Sequence, residues 1–328
     1  MPQSSITIAH GNGGRRMREL IRDSFVSRLG NDKLNIGYDS AVLPWSGNVA
    51  FTTDTFTVKP IFFNGGDIGK LAVAGTVNDL LVTGATPKYL SLAAVIEEGF
   101  LFDDLNRIID SIAATSREAG VSVVTGDTKV VPKGEADGIF LTTTGIGTID
   151  TPIAERVRPG DAVIITGDIG RHGAAILLAR EGHRFASSLA SDVAVLSPLF
   201  AALEPYRASL RIAHDPTRGG LAQTLHEIID ASGVGIELDE VPVSDAVKSV
   251  CEIFGFDALF LACEGRAVMI ADAAAADNIV TALRHCPDGA NAAVIGHVTA
   301  GDRLLLNTGY GVQRQIEQLV DTPLPRIC

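Results

Sequence analysis

The chain has 328 residues, 46% of them hydrophobic and 20% charged, a composition that buries a core and excludes an intrinsically disordered chain. Acidic residues outnumber basic ones by 39 to 27, a net charge of -12, and no Lys/Arg run offers the basic face that nucleic acid requires. A triphosphate could still bind such a protein with metal ions offsetting its charge.

The start "MPQSSITIAHGNGGRRM" has no continuous apolar stretch, so no secretory leader is predicted. "VAFTTDTFTV" (Val49–Val58) reads as a strand and Asp67–Thr83 as a helix opened by Gly66-Asp67. "YLSLAAVI" is a second strand. Asp103–Ala119 is a helix with Leu105, Ile108, Ile109 and Ile112 on one face and Gly120 as its stop. "VSVVTGDTKVV" and "GIFLTTTGIGTI" complete a β-α-β-α-β-β order, an α+β layer whose helices cover one sheet face. The opposite face needs a partner, and a homodimer through it is expected.

Pro159-Gly160-Asp161 marks a break before a new buried strand. Strands are predicted at "AVIITG", "GIELDEV", "ALFLAC", "RAVMIA", "AAVIGHV" and "RLLLN". Helices are predicted at Gly173–Glu181, Gly219–Ala231, Asp245–Phe254 and Ala273–His285, a mixed α/β second half. The domains expected are residues 1–155 for ATP binding and dimerisation, 156–312 as the α/β domain, and 313–328 as a flexible tail. The window Ile68–Ile96 is apolar but holds Lys70, Asp79 and Lys88, so no membrane span is expected. The four cysteines form no C-x-x-C pair, which fits a reducing cytoplasm.

Four acidic residues stand in unusual company. Asp54 and Asp127 interrupt Val/Thr/Phe strands, Asp79 lies mid-helix beside Asn78, and Asp39 lies in "GYDSAVL". Each alone could cap a turn; together they predict one carboxylate cluster, Asp39, Asp54, Asp79 and Asp127, at the rim of the first sheet. Such a cluster would hold Mg²⁺ on a nucleotide triphosphate, with Asn78 and Gly126 beside it as further nucleotide contacts. Lys129 follows Asp127 by two residues and shares its strand face; it is a candidate for phosphate contact or proton removal. Glu264 in "LACEGRAV" is a candidate base. "DPTRGGL" places Asp215, Thr217 and Arg218 before two glycines and a helix, a phosphate approach. "VIITGDIGRHG" spaces its glycines as G-x-x-G-x-x-G, which is not a dinucleotide fingerprint.

Taken in order, "HGNGG", "TTDTF", "NDLLVTGATPKYL", "VTGDTKVV", "DPTRGGL", "CEG" and the terminal "PRIC" span almost the whole chain. This set resembles the HypE family of hydrogenase maturation factors, the carbamoyl dehydratases, within the wider superfamily of aminoimidazole ribonucleotide synthetase and selenophosphate synthetase. The resemblance implies a two-domain PurM-like fold and ATP with Mg²⁺ as cofactors. It also implies that Cys328 is a carrier. Its thiol would receive a carbamoyl group from a HypF-type carbamoyltransferase, become a thiocyanate at the expense of ATP, and supply the cyanide ligands of the [NiFe]-hydrogenase iron through a HypC–HypD scaffold. The sequence departs from the family's usual pattern at Arg171, Cys263 and His214. Residues 321–328, extended, would reach roughly 25 Å, and Pro323 and Pro325 favour that extension. Two other functions compete with this one, a small-molecule phosphorylating enzyme of the same superfamily and a non-enzymatic scaffold. No cysteine precedes Cys251, which disfavours a selenophosphate synthetase.

Overall fold

The computed structural model describes residues 5–34, 40–181, 188–308 and 311–319. Asp39 and Cys328 therefore lie outside the described residues.

The chain opens with α1 (Arg15–Leu20) and α2 (Ser27–Leu29), joined by a π-helical turn at Ile21–Val26; the turn and α2 pack on a later helix, Phe102–Ala119. This segment was not predicted, because its apolar residues are too sparse and its Arg-rich start too polar to show a helical stripe. Next come β1 (Asn48–Phe56), a small hairpin of β2 (Phe62–Phe63) and β3 (Gly66–Asp67), α3 (Ile68–Val82), β4 (Thr86–Glu97), α4 (Phe102–Ala119), β5 (Ser122–Val131) and β6 (Ile139–Ile149). The β-α-β-α-β-β order is the one expected from the sequence. Its four long strands form a sheet in the order β1-β6-β4-β5, with only the β4–β5 pair parallel.

The strands of this sheet alternate. Thr52, Asp54 and Phe56 face α3, while Val49, Phe51, Thr53 and Thr55 face outward. Val49 and Phe51 are 51% and 70% exposed. Helix α3 is buried along almost its whole length because it has the sheet on one side and the second domain on the other. Its start is fixed by Asp67, which accepts hydrogen bonds from the Gly69 and Lys70 amides at 2.7 and 3.0 Å.

The second sheet begins after the Arg158–Asp161 turn, which Asp161 closes by accepting the Arg158 amide. It is built from β7 (Ala162–Ile165), β8 (Leu210–His214), β9 (Gly235–Leu238), β10 (Val268–Ala271), β11 (Ala293–Thr299), β12 (Leu304–Asn307) and β13 (Gln313–Gln315), in the order β13-β12-β9-β11-β7-β10-β8. Helices α5 (Arg171–Glu181), α6 (Ser197–Leu203), α7 (Gly220–Ser232), α8 (Asp245–Phe254) and α9 (Ala276–Arg284) surround it. One apolar core runs without interruption from the first sheet through α3 into the α6/α9 side of the second, and a separate core lies under α7.

One expectation is corrected here. "ALFLAC" is not a strand: Ala258–Phe260 forms a 3-10 turn that Asp257 caps by accepting the Leu259 amide, and Leu261–Cys263 runs on as buried loop. The first turn of α5 and the loop before α7 satisfy its backbone, since Gly173 N–H donates to Ala262 O and Cys263 N–H to Pro216 O. Within the described part of the expected tail, Gln313–Gln315 forms an edge strand, β13, and Ile316 is buried.

Candidate active site

The site grows from three segments that the fold brings to one seam. The first is the β1/α3 contact. Gly75 lets α3 approach β1 so closely that Asp54 lies opposite it, and Thr52 Oγ1 donates to Asp79 Oδ2 at 2.7 Å. The Asp54 carboxyl stands beside that of Asp79 across this contact. Burial, and then the Asp54 charge, push the Asp79 carboxyl up to about 6.

The second segment is the end of β8. Asp215 follows it directly, and burial, with Asp79 and Asp54 adding repulsion, pushes its carboxyl up to about 8. Burial lowers the neighbouring His214, so no cationic imidazole offsets these acids. The loop then closes through Thr217 N–H to Asp215 O at 2.9 Å and Gly220 N–H to Thr217 O at 3.0 Å. Gly219 and Gly220 both adopt left-handed conformations, and a Cβ on Gly220 would lie 2.6 Å from Leu259 O. Two glycines are therefore required before α7, which leaves Thr217 partly buried and Arg218 exposed on the loop.

The third segment is the Cys263–Glu264–Gly265 turn, tied to the second through the Cys263–Pro216 hydrogen bond. Glu264 is 2% exposed, and its Oε1 accepts no hydrogen bond among the described residues. Burial, followed by the Asp215 and Asp192 charges and then Asp54 and Asp79, raises its carboxyl well above the usual range. Four of the acids thus feel one another. A cleft of about 560 Å³ opens beside them, lined by Thr52, Asp79, Thr83, Asp150, His214 and Asp215 among others, with no Lys or Arg among its described lining residues.

The remaining sequence candidates lie elsewhere. Asp127 and Lys129 pair with Ala93 and Val95 and occupy the outer face of the first sheet, opposite to Asp54. Among the described residues, Asp127 therefore does not join Asp54 and Asp79 in the single cluster expected from the sequence. Residue parity along β1 and β5 was readable, but the register between the strands, which decides the shared face, was not. Gly126 has no room for a Cβ, which would lie 2.3 Å from Leu92 O. Asn78 turns away from the cleft: its amide donates to Ala194 O at 3.0 Å and to Glu264 O at 3.5 Å, and accepts from the Leu196 amide at 2.9 Å.

No group of three or more His, Cys, Asp or Glu side chains already stands at metal-binding geometry among the described residues. The neighbouring Asp54 and Asp79 carboxyls, the Glu264 oxygen with no partner among the described residues and a lining without described Lys or Arg nonetheless fit a divalent cation that takes few protein ligands and completes its shell with water and phosphate.

The chain matches two family models in tandem, the AIR synthase related protein N-terminal domain at residues 37–149 and its C-terminal domain at residues 158–307. It is 46% identical over 332 residues to the carbamoyl dehydratase HypE of Rhizobium leguminosarum bv. viciae, covering 98% of this chain and 95% of that one. The chain belongs to the HypE carbamoyl dehydratase family. It therefore has the PurM-like architecture, and the family is one of hydrogenase maturation. A crystal structure of HypE in complex with ATP superposes with a TM-score of 0.94 at 42% identity, covering 98% of this chain and 99% of that one. A HypE–HypF complex superposes with a TM-score of 0.80 at 43% identity over 92% of this chain and 99% of that one. Among the described residues no helix is long and apolar enough to cross a membrane.

Proposed function

We propose that this HypE-family chain uses ATP to dehydrate a carbamoyl group carried on the Cys328 thiol, leaving the thiocyanate that becomes a cyanide ligand of the [NiFe]-hydrogenase iron. The convergence of Asp54, Asp79, Asp215 and Glu264 at one seam, beside a cleft that Asp79 and Asp215 line, carries this proposal. The HypE relative that binds ATP supports the nucleotide assignment.

The chemistry follows from the bonds involved. An amide oxygen leaves poorly, so the carbamoyl oxygen attacks the γ-phosphorus of ATP and ADP departs. Loss of the nitrogen protons then forms the nitrile as the C–O bond breaks and phosphate leaves. Asp54 and Asp79 are the residues to hold Mg²⁺, with Asp39 as a further candidate outside the described residues; the ion would supply positive charge against the triphosphate. Asp215, Thr217 and Arg218 present the loop before α7 to phosphate. Glu264, enclosed and with no partner for Oε1 among the described residues, is the residue proposed to take a nitrogen proton. Asp127 and Lys129, on the outer face, act in this proposal where two copies meet through that face. The homodimer, the HypF-type donor and the HypC–HypD acceptor complete the proposed set of partners, and the HypE–HypF complex supports the donor.

Intact mass spectrometry tests the proposal. The chain is incubated with a HypF-type carbamoyltransferase, carbamoyl phosphate and ATP. The last peptide is expected to gain about 43 Da and then settle at about 25 Da above the free thiol, as covalent carriage demands. Cys328→Ala is expected to show neither mass. A persistent 43 Da adduct in the presence of Mg-ATP overturns the dehydration, and a 25 Da product on another residue overturns the carrier.

A further inference from the structure

The proposed base Glu264 is held by its main chain, and a segment with no role so far does the holding. Residues 191–196 cross between α5 and α6 without forming a helix or strand, yet they are anchored at nearly every position. The Ser191 amide donates to Asn64 O at 2.8 Å, and Ser191 Oγ is 2.8 Å from His172 Nδ1 and accepts the Val193 amide at 3.0 Å. Asn78, one residue before Asp79, grips Ala194 and Leu196.

Asp192 occupies the centre of this strap with a completely buried side chain. Its Oδ1 accepts the Glu264 amide at 3.2 Å. From the other side, the Ala194 amide donates to Glu264 O at 3.4 Å. Both main-chain polar groups of Glu264 therefore end on the strap. Gly265 allows this approach, because a Cβ there would collide with the Asp192 carbonyl oxygen. Asp192 is itself oriented by Arg266, whose Nε lies 3.9 Å from Oδ2. Arg266 is held in turn by Asp168 Oδ1 and Asp168 O, both at 3.1 Å, and by Gly265 O at 2.9 Å.

We infer that Asp192 is a positioning residue: through the Glu264 amide it sets where the Glu264 carboxylate stands relative to the Asp54–Asp79 pair, the link between the two domains running through Asn78 and the strap. This inference rests on the role proposed above for Glu264. A buried carboxylate whose second oxygen accepts no hydrogen bond is a costly residue to keep. Beside its pairing with the buried Arg266, the hydrogen bond it makes to the Glu264 amide holds that amide at a fixed place.

The test uses the full chain, loaded with carbamoyl by its transferase and then given saturating ATP, with first-order conversion followed by intact mass. Asp192→Ala removes the acceptor and is expected to slow conversion about 10–100-fold, in the range found for residues that orient a reacting group, with the apparent KM for ATP unchanged within about twofold. Asp192→Asn keeps an acceptor oxygen and is expected to recover most of the rate. Should Asp192→Ala fail to fold, Asp192→Glu retains the charge against Arg266 but displaces the acceptor, and is expected to slow conversion about tenfold. The control is Glu264→Gln. Full conversion in that variant overturns both the base and its positioning. An inactive Glu264→Gln beside Asp192→Ala (or Asp192→Glu) at the parent rate overturns the positioning alone. A rate loss matched by a parallel rise in KM for ATP, or an Asp192→Asn as slow as Asp192→Ala, also overturns it.

Discussion

At the residue scale the seam is a concentration of negative charge that the folded chain tolerates by keeping protons. Asp215 ionises near 3.9 in an unfolded chain but at about 8 in the folded one. Between those values the folded form holds more protons, so its stability is greatest at low pH and falls as pH climbs through about 8. Asp79, raised to about 6, acts in the same direction over a narrower window. The melting temperature of nucleotide-free protein is therefore expected to fall between about pH 5 and pH 8, measured by scanning calorimetry or fluorescence. Asp215→Asn is expected to flatten that fall and to raise stability at pH 7.5 by on the order of 1–2 kcal/mol, or about 2–6 °C. An unchanged slope in Asp215→Asn would show that Asp215 is ionised in the free protein. Asp215 was readable in the sequence as an acid before a Gly-rich loop, but its coupling to Asp79 was not, because more than a hundred residues separate them.

At the element scale, close backbone approaches decide the site more than helix or strand propensities do. Gly220 begins α7 at a φ of 64°, and any Cβ there would press into the Leu259–Leu261 turn. Gly220→Ala adds both strain and collision and is expected to cost about 2–4 kcal/mol, read as a lower denaturant midpoint at constant m-value. It should also weaken ATP binding by moving the Asp215–Arg218 loop, which calorimetric titration measures; wild-type stability would remove the close approach from the account. The misread "ALFLAC" belongs to this scale. Its apolar run looks like a strand, yet it packs against Gly170, Gly173 and Gly220 and takes its hydrogen bonds from the start of α5 and the loop before α7. Apolar runs report burial, and burial is common to strands and enclosed turns. Strand β8 and helix α6 were missed for the complementary reason, since each is short and carries too few periods of its pattern to be seen.

At the scale of the whole molecule, two faces matter. The inner face of the first sheet joins the second domain through α3 in one continuous core, so the cleft between domains is built on a rigid seam. The outer face presents Val49 and Phe51 beside rows of threonine, with Thr53 and Thr55 each 3.0 Å from Thr144 and Thr142 across β1 and β6. An antiparallel sheet tolerates one solvated face, but exposed Phe and Val in a strand are the mark of a contact surface. Phe51→Asp is expected to convert a dimer to a monomer in sedimentation velocity while leaving the far-ultraviolet circular dichroism unchanged. A monomeric parent, or a variant that remains dimeric, would remove this face as the interface. Since Asp127 and Lys129 share that face, the same variant is expected to lower the dehydration rate.

The sequence by itself determined the order of the first domain's elements, the turn at Arg158–Asp161, and the acids set in apolar company, because each depends on residues within a few positions of one another. Hydrophobic period, turn chemistry and an unexpected carboxylate are local signals. The tertiary structure alone decided which acids meet. Strand register put Asp54 and Asp127 on opposite faces, the crossing of α3 over β1 gave Asp79 its neighbour, and the strap at 191–196 pinned Glu264. Those outcomes arise from pairings between distant segments, whose geometry is set by how layers close on one another and is not written in any single stretch.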